Sequence, residues 1–376
     1  MKMQIVKLMM IFSLMITLCL TGCTYLNEPS QSTTGMSNVP TSDNPSGFPT
    51  ETAASTTPVN PNGYRIAFSN SYIGNHWRAE TVKIFEAYTK ILIEQGVLAS
   101  AYVTSSGNDP VAQANEIKYL MKKEYDAIIV NAASPTSLGD VLEEASRQGI
   151  VVVTFDNTVD SENVYNVNTD QVEYGRMLAQ WLADTIGGKG NILRINGITG
   201  TSVSRDRGTG FDAVLQKYPD IHVLEQGDGR WDNAATATLM SQLLSNSEGV
   251  NIDGILNEGG GESAVYEALI SHGLSPQKIP MTGEMSNGFF RHMLNDGVIG
   301  FAVGQPPYMV AECVDIALRV LGGEKVPQMN KMDIPNASYK EAMVYYYPEQ
   351  SDSFLVAYTN RTNSYGLNVS EIAPKY

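Results

Sequence analysis

The sequence has no surplus of positive charge. Twenty-five Lys and Arg stand against 40 Asp and Glu, a formal charge of −15 over 376 residues. Without clustered cations nothing can displace counterions from a phosphate backbone, so no nucleic-acid partner is expected. Cysteine is scarce too: three Cys, two of them in the first 23 residues, cannot make a disulfide framework. The four histidines, His76, His222, His272 and His292, are scattered without zinc spacing, and no metal is expected. Enzymatic signatures are missing as well. There is no G-x-S-x-G elbow and no H-E-x-x-H. Gly187-Gly188-Lys189-Gly190 lacks the spacing and the Ser/Thr of a phosphate loop and reads as a helix stop and turn. Gly259-Gly260-Gly261-Glu262-Ser263 has no lysine beside it and reads as a tight turn into a helix. The expectation is a chain without cofactor that is not an enzyme.

What is present begins at the N-terminus. Lys2 and Lys7 precede the apolar run Leu8–Leu20, too short to span a ~30 Å hydrocarbon core as a helix but suited to a signal sequence. It ends in Leu20-Thr21-Gly22-Cys23, which resembles a bacterial lipobox. Residues 1–22 are therefore read as a cleaved lipoprotein signal peptide, and Cys23 as the lipidated first residue of an exported, membrane-tethered chain. Residues 23–62 are rich in Ser, Thr, Pro, Asn and Gly, as in Ser42-Asp43-Asn44-Pro45-Ser46-Gly47. Such a composition buries too little apolar area to offset chain entropy, and reads as a disordered stalk. Cys313 is then a small core residue.

From Tyr64 onward apolar strands alternate with amphipathic helices. Arg65–Ser69, Ala101–Thr104, Tyr125–Asn131 and Ile150–Phe155 read as strands, separated by helical patterns over 79–95, 111–123 and 137–148. The pattern repeats: helices over 175–186, 205–218, 233–244 and 262–273, with strands at 190–195, 222–225, 253–257, 279–282 and 300–303. Continuous apolar strands interleaved with helices predict parallel sheets covered on both faces, here an α/β chain of two Rossmann-like lobes. Ligands of such sheets sit beyond the carboxyl ends of the strands. The residues at those ends are polar and aromatic: Asn75, Trp77 and Arg78, then Asp156 and Asn157, Arg207, Trp231, Asn257, Glu284 and Gln305. Sugar hydroxyls both donate and accept, which suits carboxylates, amides and guanidinium forks. A sugar's C–H face offers an apolar plane to an indole. Trp181, inside a helical pattern, reads as core.

Residues 64–335 resemble the type I periplasmic binding proteins of ribose, galactose and related sugar ABC importers. The resemblance rests on Gly197–Phe211, with its Gly-rich turn and Arg207 four residues before Phe211; on Thr154-Phe155-Asp156-Asn157; and on Asn75-His76-Trp77-Arg78. It implies two lobes joined by three crossings, placed near Asp170, Gln305 and Asp333-Ile334-Pro335. It also implies an N-terminal lobe of residues 64–170 plus 306–335 and a C-terminal lobe of 171–305 plus 336–376.

By position in the family, Asn75 would bond one hydroxyl and Trp77 would stack on one sugar face, with Trp231 on the other. Asp156 and Glu284 would accept from hydroxyls, Arg207 would fork across two oxygens, and Asn257 and Gln305 would complete the polar ring. The chain departs from the family where Arg78 replaces an aromatic, Asn157 an Arg and Glu284 an Asp. Arg78 also has a plain reading as a surface residue of its helix. The implied partners are a monosaccharide, an ABC permease and, through the lipid, the outer face of the bacterial membrane or the periplasm, with the protein a monomer. The alternative is a sugar or autoinducer sensor that presents its ligand to a membrane kinase or chemoreceptor. The stretch from 338 to 376 exceeds the family's usual end.

Overall fold

A computed structural model describes residues 60–356. The signal sequence, Cys23, most of the stalk and residues 357–376 lie outside the described residues. The first sheet contains β1 (Tyr64–Asn70), β2 (Leu98–Ser105), β3 (Ala127–Asn131), β4 (Val151–Phe155), β5 (Tyr165–Asn168) and β11 (Met329–Lys331), in the order β11-β5-β4-β3-β1-β2. The second contains β6 (Gly190–Asn196), β7 (Ile221–Asp228), β8 (Gly254–Asn257), β9 (Met281–Glu284), β10 (Gly300–Val303) and β12 (Asn336–Ser338), in the order β12-β10-β9-β8-β6-β7. Every pairing is parallel except β10 with β12.

Helices cover both faces. α1 (His76–Glu94), α2 (Pro110–Met121), α3 (Gly139–Arg147) and α9 (Met309–Leu321) pack on the first sheet. α4 (Gln171–Thr185), α5 (Ser202–Leu215), α6 (Asn233–Asn246), α7 (Glu262–Ser271), α8 (Asn287–Asn295) and α10 (Ala342–Tyr345) belong with the second. Apolar clusters fill the two faces of each sheet, for example Phe68, Phe85 and Val314 on one side of the first and Ile128, Val152 and Leu142 on the other. β3 buries all five residues, as a central parallel strand must.

The turns at the carboxyl ends of the strands are also helix starts, and short polar side chains cap them. Asn75 accepts from the Arg78 amide, Asp170 from Glu173, Thr201 from Ser204 and Asp232 from Ala235. Each cap satisfies an amide that the first helical turn leaves open. The chain passes from the first sheet to the second between β5 and α4, back between β10 and α9, and again between β11 and β12.

Some elements differ from the expected ones. The short strands β5, β11 and β12 and the helices α8, α9 and α10 join the expected set. β9 begins at Met281 rather than Ile279, which makes Glu284 the last residue of a strand. Trp181 is only half-buried, its ring stacked on Phe301 at 5.5 Å, so it covers the flank of the second lobe rather than filling a core.

Candidate functional site

Between the lobes lies a narrow cavity of about 40 Å³. Eight of the ten expected residues line it: Asn75, Trp77, Arg78, Asp156, Arg207, Trp231, Glu284 and Gln305, joined by Val203. The other two are elsewhere. Asn257 is fully buried, its amide nitrogen donating to the Gly260 carbonyl and its Oδ1 accepting from the Gly259 amide, so it shapes the loop after β8 instead of facing the cavity. Asn157 lines a wider outer groove and accepts from Ser202 Oγ of the opposite lobe at 3.2 Å.

The wall from the first lobe is a charged network. Arg78 is 4% exposed, which overturns its reading as a surface residue. Its Nη1 donates to Asn131 Oδ1 at 2.5 Å, its Nη2 lies 3.5 Å from Asp156 Oδ2, and its guanidinium covers the Tyr72 ring at 4.7 Å. Asp156 holds a left-handed φ of 61°, uncommon outside glycine, and such strain is kept where surrounding contacts fix it. Those contacts come from Asn131 Nδ2 at 3.3 Å, Gln305 Nε2 at 3.1 Å and, on the Asp156 carbonyl, Asn168 Nδ2 at 2.8 Å. Trp77 is 8% exposed and belongs to the first lobe's core, its Nε1 donating to the Gln305 carbonyl at 2.8 Å. Only a margin of its indole is left for the cavity. Gln305 sits at a crossing and is fully engaged there: its Oε1 accepts from Thr169 Oγ1 at 2.6 Å and Gln171 Nε2 at 2.9 Å.

The wall from the second lobe centres on Arg207, which is 3% exposed. It lies 3.6 Å over the Tyr174 ring, and it donates from Nε to Gln171 Oε1 and from Nη1 to the Glu258 carbonyl. Two of its five N–H groups are thus held by the protein before any ligand is gripped. Glu258, which follows the strand that ends in Asn257 but is not among the expected site residues, is sealed beneath it. Its carboxylate accepts from Ser204 Oγ at 2.9 Å and the Gly197 amide at 2.8 Å, and burial pushes its pKa up to about 7 against the pull of Arg207. Glu258 follows Asn257 directly, so the signal was the strand end itself. Glu284 is pushed up to about 8 by burial, Arg207 opposing and Glu262 adding repulsion. Near neutral pH its carboxyl is largely protonated and can donate as well as accept. Trp231 takes φ 53°, and a Cβ on Gly197 would meet its ring at 2.2 Å, so only glycine lets the indole lie there.

Two buried donors on the cavity-lining side chains have no protein acceptor: Arg78 Nε from one lobe and Trp231 Nε1 from the other. Buried polar atoms are rarely left so. Among the described residues, no three His, Cys, Asp or Glu are grouped to hold a metal ion, and no helix is long and apolar enough to cross a membrane.

Two lobes of parallel sheet around a cleft lined by indoles, guanidinium groups and carboxyls define a type I periplasmic binding protein fold. The periplasmic binding protein domain matches residues 66–325, and the chain belongs to that family. It is 36% identical over 153 residues to the xylitol-binding protein of Mycolicibacterium smegmatis, a match spanning 40% of this chain and 44% of that protein. It is 24% identical over 269 residues to the ribose import binding protein of Bacillus subtilis, covering 71% of this chain and 85% of that one. Among solved structures, the binding component of the arabinose ABC transporter from Shewanella sp. ANA-3, bound to α- and β-L-arabinofuranose, superposes with a TM-score of 0.69. That match has 22% identity and covers 75% of this chain and 94% of that one, a likeness of fold.

Proposed function

We propose that this protein is an extracytoplasmic solute-binding protein that captures one small sugar or polyol between its lobes and delivers it to an ABC permease, without chemical turnover. The observation that carries the reading is the pair of buried, unpartnered donors on opposite walls, Arg78 Nε and Trp231 Nε1, in a cavity that also holds carboxyls and indoles. A hydroxyl-rich ligand supplies the missing acceptors and uses the carboxyls for its own protons. The relatives named for ribose import and xylitol binding favour the same class, and favour import over sensing. Asn75, Trp77, Arg78, Asp156, Arg207, Trp231, Glu284 and Gln305 are proposed to surround the ligand, with Asn157 at its outer edge and Asn257 acting through the loop it shapes.

Capture is a population shift toward the arrangement in which both walls touch the ligand. Export through the N-terminal signal, lipidation at Cys23, tethering by the stalk and a monomeric state complete the proposal. The test is a thermal-shift panel of pentoses, hexoses and polyols. A true ligand raises the melting temperature by mass action, about 2.7 kcal/mol of stabilisation at a hundred times its Kd. A nucleoside or amino acid that shifts the melt where no sugar or polyol does would overturn the reading.

A further inference from the structure

The chain after β12 doubles back across both lobes. Residues 347–354 are fastened to the second lobe at the start of α8: Asn287 Nδ2 donates to the Tyr347 and Gln350 carbonyls, both at 3.0 Å. The Asn287 amide donates to the Phe354 carbonyl, and Arg291 pairs with Asp352 at 2.8 Å. Val356 then donates its amide to the Met285 carbonyl at 2.8 Å and packs into the second lobe's core. Between these anchors Leu355 turns the other way. It is 4% exposed and belongs to the core cluster of the first lobe, the cluster that holds Trp77, Ile84 and Phe85 of α1. Its amide lies 3.5 Å from Glu80 Oε2 of the same helix.

Beside this contact the segment stands away from α1, leaving a groove lined by His76, Lys83, Ser351 and Ser353. The tie thus includes an apolar knob, Leu355, beside its amide contact with Glu80. It joins two elements of the candidate site: α1, which begins with Trp77 and Arg78, and the end of β9, which carries Glu284 one residue before Met285.

We infer that residues 350–356 form a strap in which Leu355, anchored on the second lobe, plugs the core of the first and holds the two walls of the cleft together. The strap adds a fourth link to the three chain crossings. Separating the lobes on this flank exposes Leu355 and the apolar socket under it, so opening is directed to the side of the outer groove, where Ser202 donates to Asn157 across the lobes. Leu355 is thus a positioning residue for the site. Its part in ligand retention rests on the function proposed above, whereas its part in holding the lobes does not.

The test separates the two. Spin labels at Asn108→Cys and Arg205→Cys, exposed positions on opposite rims of the outer groove, report lobe separation by pulsed electron resonance. Cys19 and Cys23 are replaced by Ser, and Cys313 is buried. In protein without sugar, Leu355→Asp should add a population at longer distance, and Leu355→Met should keep the parent distribution. If Leu355→Asp shows a cooperative melt and an unchanged distribution, the strap is refuted; should it fail to fold, Leu355→Ala is read against the same criterion. Where a sugar binds, Leu355→Ala should speed its dissociation about ten- to a hundredfold, the weight of one large buried aliphatic side chain. Opening without sugar binding by either protein would keep the strap and remove the sugar reading.

Discussion

The Arg78 guanidinium and the Asp156 carboxylate meet 3.5 Å apart, almost sealed from solvent, one from the first turn of a helix and the other from the end of a strand. Removing one member leaves a buried charge without its partner, which costs about 3–5 kcal/mol. Asp156→Asn should therefore lower unfolding stability by that order in urea titrations. The double variant Arg78→Met with Asp156→Asn should recover part of the loss, and strict additivity would refute the coupling.

Glu258 and Glu284 make stability depend on pH in a defined direction. Their folded pKa values, about 7 and about 8, lie above the ordinary 4.5, so between those limits the folded state binds more protons than the unfolded chain. Stability then declines as pH rises through this window. His292 is held below 6.5, chiefly by burial, so it opposes this trend mainly below about pH 7, and a scan from about pH 7 to 8.5 keeps its contribution small. The melting temperature should fall across that scan, and Glu258→Gln or Glu284→Gln should flatten the slope. An unchanged slope in both variants would remove this assignment.

The Trp231 indole depends on the bare backbone at Gly197. A methyl there would meet the ring at 2.2 Å, so Gly197→Ala must displace it. Calorimetry with the ligand found in the panel should show affinity weakened about tenfold or more. Trp231→Ala should cost about ten- to a hundredfold through lost stacking area. Trp181→Ala, which uncovers Phe301 on the flank, should lower stability and leave affinity nearly intact. Normal binding by Gly197→Ala and Trp231→Ala would place the ligand elsewhere.

Membrane attachment is expected to reside in one atom, the Cys23 sulfur. Cys23→Ala should shift the protein from membrane to soluble fractions and abolish lipid labelling. Equal membrane retention of both forms, with no label on the parent, would remove the lipoprotein assignment.

The residues brought to the cavity were legible because a parallel sheet delivers its functional groups to strand ends, and apolar strands such as Ile128-Ile129-Val130 mark those ends plainly. What local pattern could not convey was how each side chain is spent. Trp77 and Asn257 lie at strand ends just as Trp231 does, yet one fills a core and the other holds its own loop, outcomes set by packing from elements far away in sequence. The strands β5 and β11 have four and three residues, too short for a period to show. Leu355 lies in a short apolar run, Phe354-Leu355-Val356, with no period to assign it a lobe, and its socket is built by residues some 270 positions earlier, as its contact with Glu80 at a separation of 275 illustrates.

Cys313 gives the protein a chemical quietness. It lies wholly buried in α9, and burial drives its thiol well above the usual range. Thiol–disulfide exchange and oxidation proceed through an accessible thiolate. The folded body therefore offers, among its described residues, no accessible thiol for glutathione or a second copy of the chain to capture. The described body thus needs no reductant to keep its thiol in one form during purification and storage.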